Sequence, residues 1–302
     1  MNLFLPVAGM SVNVLLLLGL GALVGFLSGL LGVGGGFLLT PMLIMMGVSP
    51  VVSAASGTNA IVGASASGSL AHLRAGNVDV KMGLLMLAGG VLGGGAGTAL
   101  VRSLRSSGNA DVVIVFAYVV LLAVMGAVMF VEGLTSQVKG EYETPRESAA
   151  YRWLRRLPFR LRFPASGVET SALAPLLLGA LVGVLAALMG VGGGFFLIPA
   201  MTYFLAMPMR IVVGTSLFQM LFTSASVTLM QAVMNRSVDA FLALGLLVGS
   251  ALGAQLGARL AKRLRGDQLK IVLALLVLAL SLKMFNDLLV MPPHFLAGPV
   301  AP

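Results

Sequence analysis

The chain has 302 residues, 58% hydrophobic and 10% charged, with a mean hydropathy of +1.03. Soluble domains carry about 25% charged residues, so this balance excludes an ordinary soluble protein and describes an integral membrane one. The chain has no cysteine, which removes disulfides, thiolate metal sites and cysteine nucleophiles. A net charge of +9 reads as loop Lys and Arg facing anionic headgroups and not as nucleic-acid binding, because the basic residues sit in short clusters between apolar runs.

Residues 1–73 contain no Asp, Glu, Lys or Arg, and the N-terminus lacks the basic region and processing site of a cleaved signal peptide, so the first span is expected to stay. A crossing helix needs about 20 apolar residues. This stretch is too long for two plain crossings and has no polar loop to make three. Within it lies "LGVGGGFLLTP" at 31–41. Glycine costs about 1 kcal/mol relative to alanine in a helix, and a helix broken in lipid frees backbone groups worth several kcal/mol each. Such a break survives only inside protein or along a wet cavity. The apolar segment that follows, 36–47, is about half a bilayer long by helix rise and reads as a half-helix.

Charge-free runs continue at 82–101 and 112–131. The polar segment 133–169 comes next, with "YRWLRRLPFRLRFP" at 151–164, whose basic residues interleave with Trp153, Phe159 and Phe163. It reads as an amphipathic anchor on anionic lipid or as a solvated linker. Beyond it stand charge-free runs at 170–209, 211–235 and 240–258, and a last apolar run from 271 in which Lys283 and Asp287 can snorkel. The run 170–209 contains "MGVGGGFFLIP" at 189–199 and a second half-helix, 194–206.

The two glycine runs are the peak of a longer self-similarity. "GALVGFLSGLLGVGGGF" at 21–37 aligns with "GALVGVLAALMGVGGGF" at 179–195, "SGTNA" at 56–60 with "VGTSL" at 213–217, and "GGVLGGGAGTALVRSL" at 89–104 with "GSALGAQLGARLAKRL" at 249–264. The expected fold is an all-α polytopic membrane protein of about eight transmembrane helices. It is built from two homologous four-span repeats, 1–132 and 170–302, joined by the basic linker 133–169. Four crossings per half make the halves parallel and the termini external. If each half-helix acts as a further crossing, the halves are inverted.

Transporters use interrupted helices to aim free N–H groups and a positive dipole end at an anion. Gly32, Gly34, Gly35 and Gly36 with Gly190, Gly192, Gly193 and Gly194 are the candidate amide donors, and Phe37 and Phe195 the candidate walls. Neither run ends in the Lys and hydroxyl of a Walker A loop, and phenylalanine stands where a dinucleotide fingerprint needs its third glycine. Thr58 and Asn59 in the first half, and Thr215, Ser216 and Gln219 in the second, are candidate side-chain donors. Interhelical hydrogen bonding is the competing use of such residues. Ser216, Gln219, Thr223 and Ser226 share one helix face. The ladders Gly89, Gly93, Gly97 and Gly249, Gly253, Gly257 have the spacing of helix packing. Enzyme signatures are absent, two histidines cannot build a multi-histidine metal site, and no cofactor is called for.

These features resemble the sulfite exporter TauE/SafE family, also called the 4-toluene sulfonate uptake permease family. The likeness rests on "LLGVGGGFLLTP", "SGTNA", "MGVGGGFFLIP" and "VGTSLFQM", and covers about 15–290. It implies a bacterial inner-membrane transporter of small anions, sulfite or organosulfonates, built from a duplicated unit. The expected mechanism is alternating access between the halves. A passive anion channel and a non-transporting membrane scaffold are the alternatives. The expected partners are a small anionic substrate (sulfite, sulfonate or carboxylate) and anionic headgroups near 151–164, with room for a homo-oligomer.

Overall fold

The computed structural model describes residues 2–31, 36–138, 159–205, 207–261 and 266–289. The chain opens with a short antiparallel hairpin, β1 (Asn2–Leu5) and β2 (Met10–Asn13), and continues through α1 (Val14–Leu31), α2 (Gly36–Met45), α3 (Pro50–Arg74), α4 (Val80–Ser106) and α5 (Ala110–Val138). A second antiparallel hairpin, β3 (Arg160–Phe163) and β4 (Val168–Ser171), precedes α6 (Leu173–Met189), α7 (Gly194–Tyr203) and α8 (Met209–Met230). A π-helical turn, Gln231–Asn235, extends α8, and α9 (Ala240–Ala261) and α10 (Gly266–Leu289) follow.

Local chemistry sets these boundaries. Ser49 caps α3 by accepting from the Val52 N–H, with Pro50 in the first turn where its missing N–H costs nothing. Asp79 caps α4 through Oδ1, which accepts from the Met82 N–H at 3.0 Å. Asp239 does the same for α9, accepting from Phe241 and Leu242 at 3.1 and 3.2 Å. The hairpins were not expected from the sequence. Each is closed by a Pro-x-x-Gly turn, Pro6–Gly9 and Pro164–Gly167, whose glycine is left-handed and donates back to Leu5 or Phe163 at 2.9 Å.

Among the described residues, four helices are long and apolar enough to cross a membrane by length and composition: Val80–Ser106, Ala110–Val131, Met209–Asn235 and Ala240–Leu260. The protein is thus a mostly helical polytopic membrane protein. The helices α1 and α6 are apolar but shorter. At 25 residues α3 has the length, but it buries Ser53, Ser56, Thr58, Ser65 and Ser69 and is correspondingly less apolar.

Glycine governs the tightest helix pairs. A Cβ on Gly25 would lie 2.2 Å from the Ser250 carbonyl oxygen, and one on Gly253 2.0 Å from that of Ala22, so α1 and α9 touch backbone to backbone. Likewise α4 and α6 meet at Gly93 against Ala180 and Gly183 against Gly90. Both ladders are therefore packing seams, as their spacing implied. In each pair the contacts advance together along the two chains, so α1 runs parallel to α9 and α4 parallel to α6. By the same reading α3 is parallel to α9 (Ser56 to Asp239, Gly63 to Leu247) and α8 to α4 (Thr215 to Asp79, Phe218 to Gly83, Val227 to Gly94). The central helices α3 and α8 are antiparallel: Leu217 covers Gly68, while Gly214 lies against His72 and Asn77.

Candidate functional site

The second glycine run is a buried, left-handed turn. Gly190 ends α6 with φ 69° and donates its N–H to Ala186 at 2.8 Å, so its amide is spent on the helix and is not available as expected. Gly192 and Gly193 follow at φ 66° and 72°, values that L side chains rarely adopt. The Gly193 carbonyl accepts from Phe196 and Leu197 at 3.0 and 2.7 Å and so starts α7. The amides of Gly192, Gly193 and Gly194 have no hydrogen-bond partner among the described residues. They stand at the positive end of the α7 dipole.

Beside this turn lies Ser224. A Cβ on Gly192 would sit 3.2 Å from its Oγ, which is buried and has no partner among the described residues. Earlier on α8, Gln219 Nε2 donates to Thr223 Oγ1 at 2.9 Å, leaving Gln219 Oε1 buried and unpaired. Rotating that amide exchanges the roles: Thr223 donates to Oε1 and the N–H2 becomes free. Both side chains overlie Gly90, where a Cβ would meet Thr223 Oγ1 at 2.5 Å and Gln219 Nε2 at 3.1 Å.

Gly32, Gly34 and Gly35 lie outside the described residues, as does the Phe195 side chain. Gly36 opens α2, and Phe37 is a buried core residue packed among the Leu38 and Leu39 cluster. The start of α2 and the second glycine turn approach each other at Ile61 of α3. A Cβ on Gly36 would lie 2.4 Å from Ile61 Cδ1 and 2.7 Å from the Gly190 carbonyl oxygen, and one on Gly192 2.7 Å from the same Ile61 carbon.

The remaining candidates divide. Thr58 donates to the Ala54 and Ala55 carbonyls of its own helix, and Ser216 to Val213. Thr215 accepts from the Asp79 N–H at 2.9 Å. These hydroxyls are engaged on backbone. Asn59 is half-buried. Ser226 donates to Phe222 of its own helix, so the buried face of α8 runs through Ser216, Gln219 and Thr223 but not Ser226.

The alignment of "SGTNA" with "VGTSL" pairs Thr58 with Thr215, yet the residue that does the work of Thr215 is Ser56, whose Oγ accepts from the Asp239 N–H at 3.1 Å. Hydrogen bonding thus relates α3 to α8 by 159 positions. On that register two pairs of buried, unpartnered hydroxyls correspond: Ser65 with Ser224, and Ser69 with Thr228. Ser224 was missed in the sequence because it lies off the stripe through Gln219 and Thr223.

The basic segment gives a mixed outcome. Residues 151–158, with Trp153, lie outside the described residues. Phe159 is exposed. Phe163 is not at the surface: it is fully buried beneath the second hairpin, with the Lys81 ammonium 5.8 Å from its ring centroid. Alternation along β3 explains this, since Arg160 and Arg162 point outward and Phe163 inward.

The family model for sulfite exporter TauE/SafE matches residues 17–284. The chain belongs to this family. It is 26% identical to the probable membrane transporter protein YunE of Bacillus subtilis (strain 168), over 69% of this chain and 74% of that protein. It is 31% identical to a probable membrane transporter protein of Xylella fastidiosa (strain 9a5c), over 68% of this chain and 69% of the relative. YjnA of B. subtilis, also a probable membrane transporter protein, is 26% identical over 91% of this chain and its own full length. No solved structure matches the chain. With its long apolar helices, this family member is an integral inner-membrane protein of a transporter type.

Proposed function

We propose that the protein carries a small oxyanion, sulfite or an organosulfonate, across the inner membrane by alternating access. The anion is held where the second glycine turn meets α3 and α8. The observation that carries this reading is the left-handed Gly192–Gly193 turn, with its unpaired amides beside the unpartnered Ser224 hydroxyl. Neutral N–H and O–H donors in a buried place suit an anion that must be bound and released, because a fixed cation there would have to be desolvated. By the alignment of the two halves in the sequence Gly34 is the counterpart of Gly192, Ser65 is the counterpart of Ser224, and Gln219 and Thr223 adjoin the second-half site.

The reading includes eight membrane helices, α1, α3, α4, α5, α6, α8, α9 and α10, with α2 and α7 as half-helices. The halves are inverted about a pseudo-two-fold at the α3–α8 contact. The antiparallel course of α3 and α8 supports this, as does the exchange of partners, α1 with α9 and α4 with α6. Charge supports it too. One end of the bundle carries Arg74, Lys81, Arg160, Arg162, Arg210 and Arg259, and the other Arg102, Arg105, Arg236 and Lys283. The positive-inside rule makes the first end cytoplasmic.

Purified protein in liposomes, offered sulfite, sulfonates and carboxylates, tests the proposal. Saturable uptake with counterflow for one of these anions is expected. Conductance without counterflow indicates a channel, and no flux for any of them rejects transport of this class.

A further inference from the structure

Two aspartates outside the glycine turns tie the halves together at opposite faces. Asp79 is 1% exposed and Asp239 0%. Each performs three tasks. Oδ1 caps its own helix, α4 or α9. Its backbone N–H donates to a hydroxyl on the central helix of the other half, Thr215 or Ser56. Oδ2 holds the turn of a hairpin. For Asp79 this is the second hairpin, through the Ser166 N–H at 3.1 Å and Oγ at 2.8 Å. For Asp239 it is the first, through the Val7 and Ala8 N–H groups at 2.9 and 3.4 Å.

The hairpins themselves sit over the half-helices. Phe163 and Val168 pack with Leu197, Ile198 and Met201 of α7 and with Met82 and Met86 of α4. Leu5 and Val12 share a cluster with Phe37, Leu38 and Leu39 of α2 and with Leu242 of α9. Among the described residues each four-residue strand pairs only with its own partner, and a two-stranded hairpin is marginal in isolation. Its seat therefore depends on those apolar contacts and on the carboxylate.

We infer that Asp79 and Asp239 are positioning residues of the transport cycle, latches that hold one hairpin at each face, and that opening a face means releasing that hairpin. Both latches are engaged here, so both faces are closed. The inference rests on the transport reading above only for what passes between the faces.

Replacing either aspartate by asparagine keeps an Oδ1 acceptor for the cap but puts an N–H2 group where the hairpin needs an acceptor. The cysteine-free chain makes single-cysteine reporters clean. Val168→Cys and Val12→Cys report hairpin release, and Ser69→Cys and Thr228→Cys report opening beneath each. An impermeant maleimide is applied to right-side-out and inverted vesicles. D79N is expected to raise labelling of V168C and S69C at least fivefold from the face bearing Lys81 alone. D239N is expected to do the same for V12C and T228C from the opposite face alone. Labelling that does not change, that rises at both faces together, or that rises at a hairpin but not beneath it overturns the inference.

A second variant needs no released carboxylate. Lys81→Cys with Arg162→Cys, placed where the Lys81 ammonium donates to the Arg162 carbonyl at 3.2 Å, leaves both aspartates intact. Bridging the two thiols with a short bis-methanethiosulfonate should stop sulfite flux, and reductant should restore it; continued flux through fully cross-linked protein overturns the latch. The labelling uses no substrate. A parent protein that moves no sulfite therefore counts against the anion reading, while the latch stands or falls on the labelling.

Discussion

Tyr118 of α5 donates its phenolic hydrogen to the carbonyl of Met189, the last residue of α6 before the second glycine turn. Terminal helix carbonyls have no partner within the helix, and this one is supplied from the other half of the chain. The bond fixes where α6 stops and so where Gly190 begins its turn.

Tyr118→Phe removes the donor and leaves a buried carbonyl bare, which costs about 1–3 kcal/mol. The thermal unfolding midpoint in detergent is expected to fall by several degrees, with flux reduced. A midpoint within about one degree of the parent would show that the bond does not hold the helix end.

The backbone contacts of the glycine seams imply an uneven tolerance to alanine. Gly93→Ala brings a Cβ to 1.9 Å from the Ala180 carbonyl oxygen and forces α4 from α6. Overpacking of this kind costs about 1–3 kcal/mol, and a sharp loss of monodisperse protein on size exclusion is expected. Gly245→Ala meets only Leu17, at 3.6 Å, an ordinary contact. Its yield should match or exceed the parent, since alanine favours the helix by about 1 kcal/mol. Equal behaviour of the two variants would contradict the packing described.

Ser224→Ala separates function from stability. The hydroxyl has no partner among the described residues, so removing it sacrifices no observed hydrogen bond and relieves a buried polar group. The unfolding midpoint is expected to stay level or rise. Hydrogen bonds to charged groups contribute about 1.5–3 kcal/mol, so anion affinity should drop by roughly tenfold or more. Unaltered saturation by the transported anion would remove Ser224 from the site.

Sidedness can be read directly. Ala75→Cys, between α3 and α4, is expected to react with impermeant reagent only from the cytoplasm, and Ser107→Cys, between α4 and α5, only from outside. Both positions are exposed. The opposite pattern would invert the orientation drawn from the charges.

Much of this arrangement was written in the sequence. The glycine ladders are packing seams because their spacing puts small residues on one helix face. The short apolar segments after each GVGGG run are ten-residue helices, Gly36–Met45 and Gly194–Tyr203. What escaped is what depends on distant partners. Each four-residue strand is too short to show a period, and the first is hidden in an apolar stretch. The Pro-x-x-Gly turns repeat at the same spacing as the glycine runs but contain only two fixed residues. Asp79 gives no local sign of its role, because Ser166, which binds it, lies 87 positions on. The two-residue slip between Thr58 and Ser56 arose because a shared Gly-Thr pair outweighed hydroxyl placement, which becomes visible only when the aspartates are in position.

The docking of Val7 on Asp239 spans 232 residues. Synthesis proceeds from the N-terminus, so the first hairpin leaves the ribosome long before its receptor is made. The second faces no such delay: Asp79 already exists when Ser166 emerges. Biogenesis is therefore lopsided although the finished molecule is nearly balanced, and the opening residues must wait, undocked, until α9 has entered the bilayer.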